Sequence, residues 1–367
     1  MSYVKPSLLM AIGWLGSGWV AAHAAEPNRL PSTSAIGVES IPAAPPGSTP
    51  ESIPVEEVLE RVKRTGELVA GTRTDAMPFA YRDADDRWQG YSIDLLERVR
   101  SQMQQHLQRP VELKLVPVDS TNRMNMVMAG SVDLVCGATS YSRRRELDVN
   151  FSVGYFVTGT QLLINTRSQL GAEFHIGVVA GTTNQSVMAK LFPIAQFSQF
   201  ENRGNGLAAL QRGQIDGLAS DGILLQAMRQ ALPESERLNY QIFPAQQSYD
   251  QEKYACILPE GQPEFRKTVN AALMRFMQEA VTGAPQATAT LDRWFGEQGV
   301  VPIDRQPLLN FFQQQLTAYV PSQPPNWPAF ANSTPFDPSL NSTPTQSQAV
   351  DRTRDQAANL YTFPIFD

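Results

Sequence analysis

Cysteine and histidine are scarce in this chain. Its 367 residues hold two cysteines, Cys136 and Cys256, and three histidines, His23, His106 and His175. A zinc centre gathers about four nitrogen or sulfur ligands at close spacing. The cysteines stand far apart with no histidine beside them, so no metal site is expected. The familiar catalytic signatures are missing too: there is no G-x-S-x-G, no H-E-x-x-H and no phosphate-binding loop. No cofactor is expected. Excess positive charge is also lacking, since 30 basic residues face 36 acidic ones for a net charge of −6. A surface that tracks phosphates along a nucleic acid needs the opposite balance. The single basic run is Arg143-Arg144-Arg145. Long apolar runs are absent beyond the N-terminus, so no later segment is expected to span a membrane.

The N-terminus carries Lys5, a largely apolar stretch over residues 8–22 and the Ala22-His23-Ala24 pattern. An apolar run of about 15 residues is short for a bilayer, which takes roughly 20. Residues 1–24 therefore read as a secretory signal peptide, with an uncleaved anchor as the alternative. In an oxidising compartment a lone pair of cysteines suggests one disulfide. Two buried thiols are the other reading.

With 42% hydrophobic and 18% charged residues the chain has globular composition, and its length suits about two domains of 100–200 residues. Residues 25–54 are rich in proline and serine and read as a spacer. Helix spacing follows over 55–66, closed by glycine. ELVAGTR then reads as a strand, residues 91–107 as an amphipathic helix and VELKLVPV as an alternating strand. A short helix at TNRMNMVMAG precedes the strand SVDLVCGA. Such alternation argues for βαβ units. Two extended segments without helices, 150–165 and 247–259, bracket a second α/β series containing HIGVVAGTT, NQSVMAKL, GLAALQRG and IDGLAS. One α/β unit inserted in another gives two lobes: 55–157 with 252–299, and 158–251. Residues 300–367 form a polar, proline- and glutamine-rich tail in which 308–320 can make one more helix.

Arg73 ends a strand, where side chains of an open α/β sheet face the ligand crevice. A guanidinium there is either solvated or a receptor for an anion. From about Glu67 to Phe295 the chain resembles the periplasmic solute-binding proteins of polar amino-acid ABC transporters. GTRTDAMPFAYRD, QGYSIDLL, STNRMNMVMAGSVDLVCGATSYSRRRELDVNFS, VVAGTT, GLASDG and QEKYACIL carry the resemblance. Arg73, Ser120-x-x-Arg123 and the contexts of Cys136 and Cys256 make it most similar to the glutamate/aspartate-binding branch. The resemblance implies a type II periplasmic binding protein-like α/β fold, with two lobes joined by a two-strand hinge.

The same resemblance implies a set of roles. In Ser140-Tyr141-Ser142-Arg143-Arg144-Arg145 the last arginine matches the residue that binds the ligand α-carboxylate, for which a planar fork suits. Serine stands at 140 and 142 where the family usually has threonine. Ala138 and Ser140 match donor positions, and Arg143 and Arg144 read as solvated. Asp221 matches the aspartate that holds the α-ammonium, although capping a helix would explain it alone. Arg73 reverses the sign of an aspartate found in many relatives and so favours a ligand with an anionic side chain. Ser120 and Arg123 match a second side-chain anchor. Thr182 and Thr183 open a helix whose N–H groups suit a carboxylate. Arg203 matches a position where the branch can carry histidine. Phe79 and Tyr81 fit either a pocket wall or the core, and Ala76 replaces the aromatic clamp of other subgroups. No glutamate is expected in the pocket, which argues against a fold-related enzyme. A monomeric, periplasmic carrier is implied, delivering an acidic amino acid (glutamate or aspartate, with glutamine and asparagine also admissible) to membrane permease subunits of an ABC transporter; a sensory partner or a fold-related enzyme is the alternative.

Overall fold

The computed structural model describes residues 56–167 and 174–319. The expected signal peptide over 1–24, the expected spacer over 25–54 and the residues beyond 319 lie outside the described residues.

Helix α1 (Val58–Thr65) buries Val58, Leu59 and Val62 and stops at Gly66, whose φ of 75° is the left-handed cap that glycine adopts freely. Strand β1 (Glu67–Arg73) follows, then a small antiparallel sheet of β2 (Asp75–Ala76), β3 (Ala80–Arg82) and β4 (Trp88–Gln89). Helix α2 (Tyr91–Leu107) turns Leu95, Leu96, Val99 and Met103 inward, while Ile93, expected on the same apolar face, is only half-buried. Next come β5 (Glu112–Val118), α3 (Arg123–Met128), β6 (Leu134–Val135) and β7 (Asn150–Phe151). Strand β8 (Phe156–Thr158) leaves the first lobe and β9 (Thr160–Asn165) enters the second.

The second lobe holds β10 (His175–Val179), α4 (Thr183–Leu191), β11 (Gln196–Phe200), α5 (Arg203–Gln211) and β12 (Gly217–Asp221). Helices α6 (Gly222–Ala231) and α7 (Glu234–Arg237) and strand β13 (Tyr240–Phe243) complete it. Strands β14 (Glu252–Tyr254) and β15 (Ile257–Leu258) return to the first lobe, which α8 (Pro263–Val281), α9 (Pro285–Phe295) and α10 (Gln306–Ala318) close.

Each lobe has one five-stranded sheet, ordered β5-β1-β6-β15-β7 and β11-β10-β12-β9-β13. The sheets are mixed rather than wholly parallel. β1 runs parallel to β5 and β6, but β15 runs antiparallel to β6; β9 likewise runs antiparallel to β12. The reason is the insertion: the two extended crossings return without a helix. They pair with each other as β8 and β14, with Phe156 opposite Tyr254 and Thr158 opposite Glu252. This is the type II periplasmic binding-protein fold, two lobes on a two-strand hinge.

Two links tie the first lobe's separated segments together. A disulfide joins Cys136, just past β6, to Cys256 between β14 and β15. Helix α10 buries Leu308, Phe311 and Phe312, with the Phe312 ring 6.0 Å from that of Phe276. Burying such side chains stabilises by roughly 1.5–3 kcal/mol each. Gln315 on the same helix accepts from the Gly154 N–H just before the hinge. Phe79 lies wholly in the core, ringed by Tyr91, Phe156, Tyr254 and Phe295, so its pocket-wall reading is replaced by packing.

Candidate functional site

The strand ends of both sheets meet at the cleft, and the sequence-predicted residues converge there. Ser120 donates from Oγ to the Ala180 carbonyl oxygen at 2.7 Å, spanning from one lobe to the other. Gly181, at φ 72°, fits this approach because a Cβ there would stand 3.0 Å from the Ser120 carbonyl oxygen. On the facing edge, Gly137 at φ 153° and Ala138 at φ 51° bend the chain away from β6. The positive φ of Ala138 is a costly conformation of the kind that clusters at binding sites.

Four guanidiniums line the cleft, and they have different partners. Arg73 is 2% exposed at the end of β1 and donates from Nε and Nη2 to the Asp75 carboxylate at 2.8 and 2.9 Å. Arg203, the first residue of α5, reaches across from the second lobe and donates to the same carboxylate at 3.2 Å and to Ser220 Oγ at 2.9 Å. Burial alone would raise the Asp75 pKa, but the Arg203 and Arg73 charges outweigh it and hold it below the usual range. Arg123 is buried at the start of α3 and donates from Nη1 to Thr139 Oγ1 at 3.0 Å. Its Nε meets no partner, and no carboxylate lies within ion-pair distance of it among the described residues. Burial, then the charges of Arg145, Arg73 and Arg203, push its pKa well down. Arg145 sits in a 3-10 turn (Arg145–Leu147), and its guanidinium donates to two carbonyl oxygens, Ser140 at 2.7 Å and Gly181 at 3.1 Å. Arg143 and Arg144 are exposed, as expected of a solvated run.

The acidic groups stand opposite. Asp221, buried at the junction of β12 and α6, makes no side-chain cap, so the capping explanation does not hold. Tyr254, Asn184 and Glu252 surround its carboxyl and favour the charged form, though Oδ1 and the Tyr254 hydroxyl meet no partner at hydrogen-bond geometry. Burial prevails and raises the Asp221 pKa. Thr182 caps α4 by accepting from the Gln185 N–H. Thr183 donates from Oγ1 to Glu252 Oε2 at 2.9 Å, and Ser140 donates to that same oxygen at 2.5 Å. Burial, then repulsion by Asp221, pushes Glu252 up to about 8.

Two site carboxylates escaped the sequence reading. Asp75 lies two residues beyond Arg73, and residues two apart in extended chain face the same side; that spacing was the available signal. Glu252 corrects the expectation of no pocket glutamate. It is a lone acidic residue in the hinge strand, brought between Ser140 and Thr183 only when the lobes meet.

The family description "Bacterial extracellular solute-binding proteins, family 3" matches residues 68–297. The chain belongs to that family. A glutamate/aspartate import solute-binding protein of Escherichia coli K12 is 26% identical over 247 residues, 65% of this chain and 79% of the relative. An ABC transporter glutamine-binding protein of Bacillus subtilis is 25% identical, over 61% of this chain and 81% of its own. Among solved structures, a cysteine-binding protein from Campylobacter jejuni shares the fold with a TM-score of 0.58 at 18% identity, covering 68% of this chain and 96% of that one. An ancestral amino acid-binding protein described as a precursor of cyclohexadienyl dehydratase gives 0.54 at 19% identity, over 65% of this chain and 99% of its own.

Proposed function

We propose that this family 3 member is an extracytoplasmic carrier that captures an acidic amino acid between its lobes and hands it to the permease of an ABC transporter. One observation carries the choice of ligand class: Arg123 is a buried guanidinium with no carboxylate partner at ion-pair distance among the described residues. A buried cation left unpaired is expensive, and a ligand anion supplies the missing partner. Arg123 and the three arginines around it face Asp75, Asp221 and a Glu252 that keeps its proton near neutrality, so the cleft holds excess positive charge. A neutral amide side chain would leave Arg123 uncompensated.

In this reading Arg145 takes the ligand α-carboxylate and Asp221 the α-ammonium. Arg123, with Ser120 and a share of Arg73, takes the side-chain carboxylate; Ala138, Ser140, Thr182 and Thr183 complete the frame. Arg203 acts through Asp75. Charge-assisted hydrogen bonds of roughly 1.5–3 kcal/mol each reach the ~8 kcal/mol of micromolar affinity with a few contacts, after the costs of association. Because the anchors are split between lobes, the ligand favours the closed state.

Glu252 has a pKa suited to a general acid, so the test separates carrier from enzyme. The exported protein, unfolded and refolded to strip carried ligand, is titrated calorimetrically with glutamate, aspartate, glutamine, arginine and histidine. The carrier reading expects micromolar or tighter binding confined mainly to the acidic pair, with ligand recovered unchanged by proton NMR. Binding of arginine or histidine instead, or conversion of the ligand, would overturn it.

A further inference from the structure

Glu252 has no role in the binding scheme above, yet it touches both lobes and stands beside the ammonium subsite. Its Oε2 accepts Ser140 Oγ from the first lobe and Thr183 Oγ1 from the second. Its strand, β14, is one of the two hinge strands and pairs Glu252 with Thr158. Beside it stands Asp221, whose Oδ1 is buried and without a partner. Two carboxyl groups thus share a buried corner in which one oxygen has nothing to bond.

We propose that Glu252 is a second ammonium ligand beside Asp221, and that the incoming ammonium replaces a proton held by this pair, so that binding expels one proton to solvent. The inference rests on the reading that Asp221 receives the α-ammonium. The exchange balances: a cation enters the corner, a proton leaves it, and the charge of the Asp221–Glu252 corner stays constant.

The surroundings decide the direction. Arg145 faces Glu252, and Arg203 and Arg123 face Asp221, all favouring ionisation of the carboxyl groups. Asp221 and, from the approach to β14, Asp250 repel a charge on Glu252, while Tyr254 lines the same corner. Burial adds to the repulsion, and the balance leaves Glu252 protonated up to about pH 8. An ammonium between the two carboxyl groups cancels the repulsion and lowers that value. Below pH 8 the bound state therefore holds fewer protons than the free state. Affinity must then rise with pH, by up to tenfold per unit for one proton released, and level off above about 8.

The test is calorimetry of the wild-type protein with L-glutamate at pH 6.5, in buffers of different ionisation enthalpy. The slope of observed heat against buffer enthalpy counts protons. We expect close to one proton released, and affinity climbing from pH 6 to 7.5. In Glu252→Gln, which keeps an oxygen for the two hydroxyls, release falls to near zero and the pH profile flattens. Wild-type binding without proton release, or release that persists undiminished in the variant, would overturn the proposal while leaving the carrier function standing. The wild-type count decides the matter even if the variant does not fold. Failure of glutamate, aspartate, glutamine and arginine all to bind would overturn the function and this inference together.

Discussion

Replacing Asp75 with asparagine tests how the site manages its own charge. Asp75 is the shared partner of two guanidiniums that are 2% and 3% exposed, at 2.8, 2.9 and 3.2 Å. Removing one partner of a buried ion pair costs about 3–5 kcal/mol. Asp75 is 22% exposed, and the asparagine carbonyl still accepts one hydrogen bond, so about 2–3 kcal/mol is expected here. Urea unfolding of the ligand-free variant should show that loss as a lower midpoint at unchanged slope. Binding should move the other way. The ligand side-chain carboxylate would inherit donors from Arg73 and Arg203, and one added charge-assisted bond of about 1.5–3 kcal/mol corresponds to a gain of roughly tenfold or more in affinity. Glutamate would then restore stability by mass action. A variant as stable as wild type, with the same glutamate affinity, would refute the pairing. Lower stability with weaker binding would show that Asp75 holds the arginines in place for the ligand rather than competing with it.

Arg123→Met should cost little or no ligand-free stability, since burying an unpaired guanidinium is itself unfavourable, while glutamate affinity falls about a hundredfold or more; unfolding and titration on the same preparation check both. Removing the disulfide by Cys136→Ser with Cys256→Ser closes no loop over 120 residues, and chain entropy puts the loss near 4–5 kcal/mol, read by denaturant midpoints. Ligand-free stability should decline as pH rises from about 5 to 8, because the raised Glu252 favours the folded state only while protonated. It should also decline in acid, where protonation of Asp75 dissolves its pairing with Arg203 and Arg73. Glu252→Gln should remove the first decline and keep the second.

The element pattern was legible because it is local. Period-two and period-3.6 spacing placed β1, α2 and β5 almost to the residue, and Gly66 marked the end of α1. Less was visible where tertiary pairing overrides propensity. SVDLVCGA shortens to the two-residue β6 because the chain turns at Gly137 and Ala138. The polar strand β11, QFSQF, carries no alternating apolar signal and forms against β10. On the sequence alone, Arg73→Asp is expected to abolish binding of acidic amino acids and spare the fold. In the structure it would set a new carboxylate against Asp75 in a buried site, so an effect on binding could not be separated from one on folding.

The chain by itself determined an alternating α/β pattern with Arg73 at the end of a strand, since hydrophobic period and strand-end position are written in neighbouring residues; that Arg123, Arg145 and Asp221 join it was implied only by the resemblance to the family. Which charge answers which was decided only in three dimensions. Arg203 and Asp75 are 128 positions apart, and Ser140 and Glu252 are 112 apart. Whether a buried charge is compensated or stranded depends on what the other lobe brings within about 4 Å, and no local pattern carries that distance.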